Sequence, residues 1–209
     1  HVRRRTLMCE EFSDVVVATC DLDIQKTVES FGGNVIMTSN DHIMASDRVA
    51  EAVEHLDCTH VINVQGDEIL ILPEDLSKIV GAINSSPENM YWNATASIDT
   101  ESELANTSIV KCVLTNHHKV MYCARDFSLL KTTDSFKPIH IILGIMGYTR
   151  KSLNKYKELP RTPLEVTQSI DQLRIIENGL ELLSVSFSAG YLGINEPREV
   201  EIVKKILEI

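Results

Sequence analysis

Asn63-Val-Gln-Gly-Asp67-Glu68 sets a glycine and two adjacent carboxylates directly after the apolar run His60-Val-Ile-Asn-Val64. Short runs of β-branched and apolar residues read as buried parallel strands, and in open α/β sheets ligands bind beyond the carboxyl ends of such strands. Asp67 offers the hard oxygen that Mg²⁺ takes together with substrate phosphates, and Gly66 would let backbone approach a ligand closely. Phosphate-transfer chemistry suits that set. The spacing equally admits a polar turn in which Asp67 or Glu68 caps the helix expected from Pro73 to Asn84. Asn116-His117-His118 has no metal partner at ligand spacing and reads as an exposed turn. His1-Val-Arg-Arg-Arg5, the only basic cluster, reads as a solvated helix face.

The elements that must position the loop alternate. Val15 to Thr19, Val35 to Thr38 and His60 to Val64 read as core strands separated by helical spacing, which is βαβ order. Val49, Ala52, Val53 and Leu56 recur at helical intervals with Ser46 or Asp47 available as the cap, and Asp75 to Ile83 repeats the pattern. Ala94 to Ile98, Lys111 to Thr115 and Leu182 to Phe187 are further strands. Ile139 to Tyr148 is an apolar strand with Gly144 and Gly147 inside it, marking either close approach or a bulge. Glu165 to Glu177 reads as one helix ended by Asn178-Gly179, and Pro197 to Ile209 as a terminal helix. Thr132 to Pro138 is the most loop-like interior stretch.

Composition narrows the class. At 209 residues, 44% hydrophobic and 24% charged, the chain can bury a full core and is most simply one domain over 1–209. No apolar run reaches the roughly 20 residues a bilayer span needs, so a cytoplasmic protein away from the membrane is expected. A net charge of −10 argues against a nucleic-acid partner. The five cysteines are odd in number and scattered, which points to reduced, buried thiols rather than disulfides or zinc.

Taken in order, many segments resemble the CMP-Kdo synthetases, the 3-deoxy-manno-octulosonate cytidylyltransferases. They include Phe31-Gly-Gly-Asn-Val-Ile-Met-Thr38, Asp41-His42 with Ser46-Asp-Arg48, Asn63 to Glu68, Val110-Lys111, Gly147-Tyr148, Thr162-Pro-Leu-Glu165, Asp171-Gln-Leu-Arg174 and Gly193-Ile-Asn195. The resemblance implies a doubly wound, mostly parallel α/β sheet of Rossmann-like nucleotidyltransferase fold with a small dimerisation lobe. It implies a homodimer that uses CTP, Mg²⁺ and a 2-keto-3-deoxy sugar acid in lipopolysaccharide or capsule biosynthesis. By position, Asp67 corresponds to a Mg²⁺ ligand and Gln65, Lys111 and Arg125 to residues beside the reacting groups. Arg48, Asp47, His42, Tyr148, Glu165 and Gln172 correspond to positions around the sugar.

Departures from the family pattern carry their own expectations. That family's chain opens with a strand and a glycine-containing loop that grips the triphosphate, whereas this sequence starts at the corresponding first helix, which would leave the sheet short of its central strand. Asn195 stands where the family has a second metal-binding aspartate, and an amide offers Mg²⁺ an oxygen without the charge. Ile43, Met44, Ala45, Ile142 and Met146 make the expected sugar pocket more apolar. Acylneuraminate-type activation and a non-catalytic nucleotide- or partner-binding protein are the alternatives.

Overall fold

The computed structural model describes residues 1–127, 138–188, 190, 193–194 and 197–207. Asn195 and nearly all of the loop-like stretch from Thr132 lie outside them. The order is α1 (Val2–Thr6), β1 (Val16–Thr19), α2 (Leu22–Ser30), β2 (Asn34–Met37), α3 (Ala45–Val53), β3 (His60–Val64), α4 (Pro73–Ser85) and β4 (Tyr91–Ser97). It continues with α5 (Glu101–Ala105), β5 (Lys111–Leu114), β6 (Val120–Ala124), β7 (Ile139–Thr149), α6 (Arg150–Glu158), α7 (Pro163–Gln168), α8 (Asp171–Glu177), β8 (Leu183–Ser186) and α9 (Pro197–Leu207).

The α/β layering agrees with the sequence pattern, but the sheet is more mixed than the mostly parallel one expected. β1 and β2 pair in parallel as a ladder of their own, and β4 and β8 pair in parallel within the larger sheet. β7 runs antiparallel to β3, β4 and β5. Its 11 residues explain this: one edge is long enough to take two short strands end to end, β5 against its first residues and β3 against its last. β4 covers the opposite edge.

Side-chain alternation along β7 builds both core layers, as the two-residue strand period requires. Ile139, Ile141, Leu143 and Ile145 join Trp92, Ala94, Ile79, Ile83 and Phe187 beneath α4. Ile142, Met146 and Tyr148 join Ala50, Val53, Leu153, Tyr156, Leu173 and Ile175 beneath α3, α6 and α8. Gly147 keeps α4 close, since a Cβ there would meet Ile83, Trp92 and Ile79 at 3.3–3.5 Å.

Several local expectations change. The helix expected over Glu165 to Glu177 is two helices, because Ser169 turns left-handed (φ 53°) between α7 and α8. α3 begins at Ala45 with no side-chain cap, because the Ser46 hydroxyl is engaged elsewhere. β6 is a strand the sequence pattern did not reveal; it pairs with β5 across a turn at His117-His118, where His118 is left-handed (φ 57°). The arginines of α1 do more than face solvent. Arg3 donates to the Gly32 carbonyl, Arg5 to the carbonyls of Leu70 and Ile71, and Arg4 stacks over Phe31. All five cysteines are free, three of them buried.

Ile79 is fully buried between α4 and the sheet. Ile79→Ala should cost about 2–5 kcal/mol of folding free energy through lost burial and the cavity left behind, measurable as a lowered urea midpoint.

Candidate active site

β3 ends at Val64, and the next four residues turn across the middle of β7. On this edge β5 stops where the Ile142 amide donates to the Val110 carbonyl (2.9 Å), and β3 resumes where the Gln65 amide donates to the Gly144 carbonyl (2.8 Å). The junction leaves the Gly144 N–H without a strand partner, and the Glu68 carboxylate accepts it (2.5 Å). Gln65 lies over the same glycine: a Cβ on Gly144 would come within 2.9 Å of the Gln65 Oε1. Gly144 is thus a close approach within the chain itself, whereas Gly66 is uncrowded by protein, a Cβ there meeting nothing within 4 Å.

The other edge of β7 is irregular at the same place. Asn93 pairs with Met146 but Thr95 with Ile142, so residues 143–145 bulge opposite Ala94. Asn93 fills the break, its Nδ2 donating to the carbonyls of Ala94 (2.6 Å) and Leu143 (3.2 Å). Its own Oδ1 accepts from Gln172 Nε2 (2.7 Å), which places Gln172 as the support of Asn93.

Asp67 sits between the two residues that grip Gly144. Its carbonyl accepts from the Ile194 amide (3.2 Å), which ties Ile194 to the loop. Burial raises its carboxyl pKa above the ordinary value. Glu68 is pushed further, to about 7, chiefly by burial, with the Gly144 bond opposing and the Asp67 charge adding to the rise. Glu68 is 7% exposed and its Oε2 has no hydrogen-bond partner. Among the described residues no ion pair reaches either carboxylate, and α4 starts without a side-chain cap, so neither serves as the helix cap the spacing allowed. Two adjacent carboxylates with no cationic side chain form a donor set that suits a divalent cation shared with phosphates, although the described residues hold no group of three ligating side chains.

Most other residues singled out in the sequence are bonded to the protein itself. Lys111 is fully buried, its Nζ donating to the carbonyls of Asn106 and Arg125 (2.7 Å to the latter), and burial lowers its pKa. Arg125 reaches the carbonyls of Gln168 (3.1 Å) and Ser169 (3.4 Å) at the break between α7 and α8, and that of Ser108 (3.1 Å). Arg48 Nη1 donates to Thr38 and to the Ser39 carbonyl, and His42 bonds Glu51. Tyr148 is buried with its hydroxyl on Ser46. Ile142 and Met146 are packed in the core instead of lining an open pocket, and Met44 is buried, whereas Ile43 is 74% exposed.

Asp47 and Glu165 are held by a residue to which no role was assigned from sequence. Arg174 makes paired bonds to Asp47 (2.7 and 3.0 Å) and to Glu165 (2.9 and 2.6 Å), and its guanidinium lies 4.3 Å from the Tyr156 ring centre. Asp171, one turn away, accepts from the Ser46 amide and hydroxyl, and burial raises its pKa. α3, α7 and α8 are thereby tied at one point. The available signal was an arginine on the apolar stripe of Ile170, Leu173 and Ile176, a place where a charge survives only if paired.

The family model described as Cytidylyltransferase matches residues 1–183. The 3-deoxy-manno-octulosonate cytidylyltransferase of Zea mays is 32% identical over 208 residues, spanning 97% of this chain and 70% of that protein. The 8-amino-3,8-dideoxy-manno-octulosonate cytidylyltransferase of Shewanella pealeana is 30% identical, spanning 100% and 87%. A solved CMP:2-keto-3-deoxy-manno-octonic acid synthetase in complex with CTP superposes with a TM-score of 0.90 at 28% identity, covering 100% of this chain and 86% of that one.

Two outcomes follow from the electrostatics. Arg174→Met leaves buried Glu165 with Arg161 alone and the partly exposed Asp47 without its arginine, and should cost about 3–5 kcal/mol, with Arg174→Lys losing less, as read by urea denaturation. For Glu68, the folded state holds a proton more tightly than the unfolded chain. Its contribution is therefore fully present below the ordinary value of 4.5 and is lost as pH rises to about 7. In metal-free protein, Glu68→Gln should gain stability relative to the parent between pH 5 and 8, on the order of 2 kcal/mol, and a pH-independent difference would contradict the assignment.

Proposed function

The chain belongs to the cytidylyltransferase family, and from that we propose that it transfers CMP from CTP to the anomeric hydroxyl of 3-deoxy-manno-octulosonate or a close analogue. The observation that carries the reading is Asp67, a half-buried carboxylate without a cationic partner among the described residues, presented beyond the carboxyl end of β3 on a loop fastened to β7. The reaction joins the sugar hydroxyl oxygen to the α-phosphorus while the bond to the bridging oxygen breaks and pyrophosphate leaves. The hydroxyl proton is lost.

Asp67 would hold Mg²⁺ together with the substrate phosphates. When bound, the metal neutralises charge on the phosphate oxygens. The protein's share is to place the loop, keep Gln65 beside the reacting groups, and shape the acceptor side through α3, α7 and α8. Arg48, whose guanidinium is only partly used, and His42 remain the acceptor-side groups nearest the start of α3. Asp47, Tyr148, Glu165 and Gln172 serve the same site through the bonds described above. Lys111 and Arg125 act by fixing the β5–β6 hairpin to the α7–α8 break. A homodimer is part of the proposal, and exposed Met121 and Tyr122 on β6 with Val166 on α7 offer apolar surface for it. The reaction's need for CTP favours a cytoplasmic setting.

Pyrophosphate release by the full-length protein with CTP and Mg²⁺ tests the reading directly, run against 3-deoxy-manno-octulosonate, its 8-amino analogue and an acylneuraminate. Turnover is expected with one of the eight-carbon acids. Exclusive turnover of the acylneuraminate would move the acceptor to nine-carbon acids, and no turnover with bound CTP would make the protein a non-catalytic binder. Asp67→Asn should lower kcat about 100-fold or more, the loss of several kcal/mol of charge stabilisation.

A further inference from the structure

We propose that Glu68 is a positioning residue for this transfer: by seizing the amide of Gly144 it fixes where Gln65 and Asp67 stand. The inference rests on the cytidylyl-transfer reading and adds to it a residue that does not touch the reacting atoms.

The geometry gives the reason. β5 and β3 abut on one edge of β7, where the paired registers stop at Ile141 and resume at Ile145, with Gly144 in the gap. Gln65 and Glu68 take the two polar groups of that one residue, the carbonyl through the Gln65 backbone at 2.8 Å and the amide through the Glu68 carboxylate at 2.5 Å. The loop closes on itself between these grips, since the Glu68 amide donates back to the Gln65 carbonyl (3.2 Å) and the Ile69 amide to that of Asp67 (2.8 Å). Asp67 is thus carried on a short arch with both feet on Gly144. From the far edge of β7, Asn93, itself held by Gln172, donates to the neighbouring Leu143 carbonyl, so the footing itself is fixed.

A carboxylate is a costly way to satisfy one amide. Glu68 is buried, beside the charge of Asp67, and leaves Oε2 unpartnered. Burial of that kind is unfavourable for stability. What it supplies is a hydrogen bond reaching from the loop to the sheet at the gap between β5 and β3, at 2.5 Å. Once the Gly144 amide is released, the arch keeps only its Gln65 foot and Asp67 shifts with the freed end.

The test compares Glu68→Ala, which removes the grip, with Glu68→Gln, which keeps an acceptor oxygen in place. Misplacement by about 1 Å can cost about 100-fold in rate, so Glu68→Ala should lose about 10–100-fold in kcat. The Mg²⁺ needed for half-maximal rate should rise several-fold, with little change in KM for the sugar acid, and Glu68→Gln should recover most of the loss. Amide hydrogen exchange at Gly144 in the ligand-free protein supplies a readout independent of turnover. It should quicken at least about tenfold in Glu68→Ala and stay near the parent rate in Glu68→Gln.

Unchanged kcat and Mg²⁺ requirement in folded Glu68→Ala would overturn the proposal, as would unaltered Gly144 exchange. Glu68→Gln as impaired as Glu68→Ala would also overturn it, since the charge and not the grip would then be the requirement. A parent protein that turns over no sugar acid with CTP would remove the reaction Glu68 is proposed to serve. The exchange comparison would still decide whether the grip exists, which keeps the two failures apart.

Discussion

A buried strand cannot leave its peptide groups without partners, and β7 breaks its ladder twice at one point. On the β4 edge residues 143–145 bulge, and on the other edge two strands meet end to end. Ordinary strand pairing satisfies neither gap, so side chains do. Asn93 enters from one edge and Glu68 from the other. That requirement explains why two polar residues are buried at the centre of the sheet, and why a loop bearing carboxylates is held against its middle. Gly144 is the residue that permits it, because any side chain there would displace Gln65.

The junction of α3, α7 and α8 is organised by charge instead. Arg174 is almost fully buried and meets two carboxylates with four bonds, while Asp171 binds the first turn of α3. Two acids on one guanidinium, Glu165 buried and Asp47 partly exposed, leave a net negative charge, which Arg161 partly offsets through Glu165. Such clusters add little net stability compared with apolar packing but fail badly when one member is removed. Their effect is geometric: three helices are fixed at one point with directional bonds that apolar contact would leave free to slide.

Where sequence reasoning worked, it rested on patterns with a physical period. The strand His60 to Val64 has the expected bounds, the helix begun by Pro73 runs one residue past its expected end, and Gly179 is left-handed just beyond α8 as the helix stop requires. Glycine inside the Ile139 to Tyr148 run did signal both a close approach and a bulge. Where it stopped short, the deciding contact was distant in sequence. Nothing local separates a carboxylate that faces a sugar from one that faces Arg174, 127 residues on from Asp47. Nothing local shows that Ser169 must turn left-handed, because the carbonyls freed there are taken by Arg125, 44 residues earlier. The mixed sheet was hidden for the same reason: apolar runs report burial, and only the pairing of distant strands gives their direction.

The distribution of charge leads to one further step. Lys111, Arg125 and Arg5 direct their donors to backbone carbonyls, where they act as hooks between segments. Arg174 is spent on carboxylates. The cations that a phosphate chain would seek are in these cases already committed to the architecture, whereas the carboxylates of Asp67 and Glu68 meet no cationic side chain among the described residues. A triphosphate brought to this loop would face negative charge, at a cost that rises as water is excluded. A divalent cation reverses that balance, since it neutralises the phosphates and satisfies Asp67 in one step. On the proposed reading, nucleotide recognition at this loop would depend electrostatically on a divalent cation, and the rigidity of the Gly144 footing would determine how accurately Asp67 meets it.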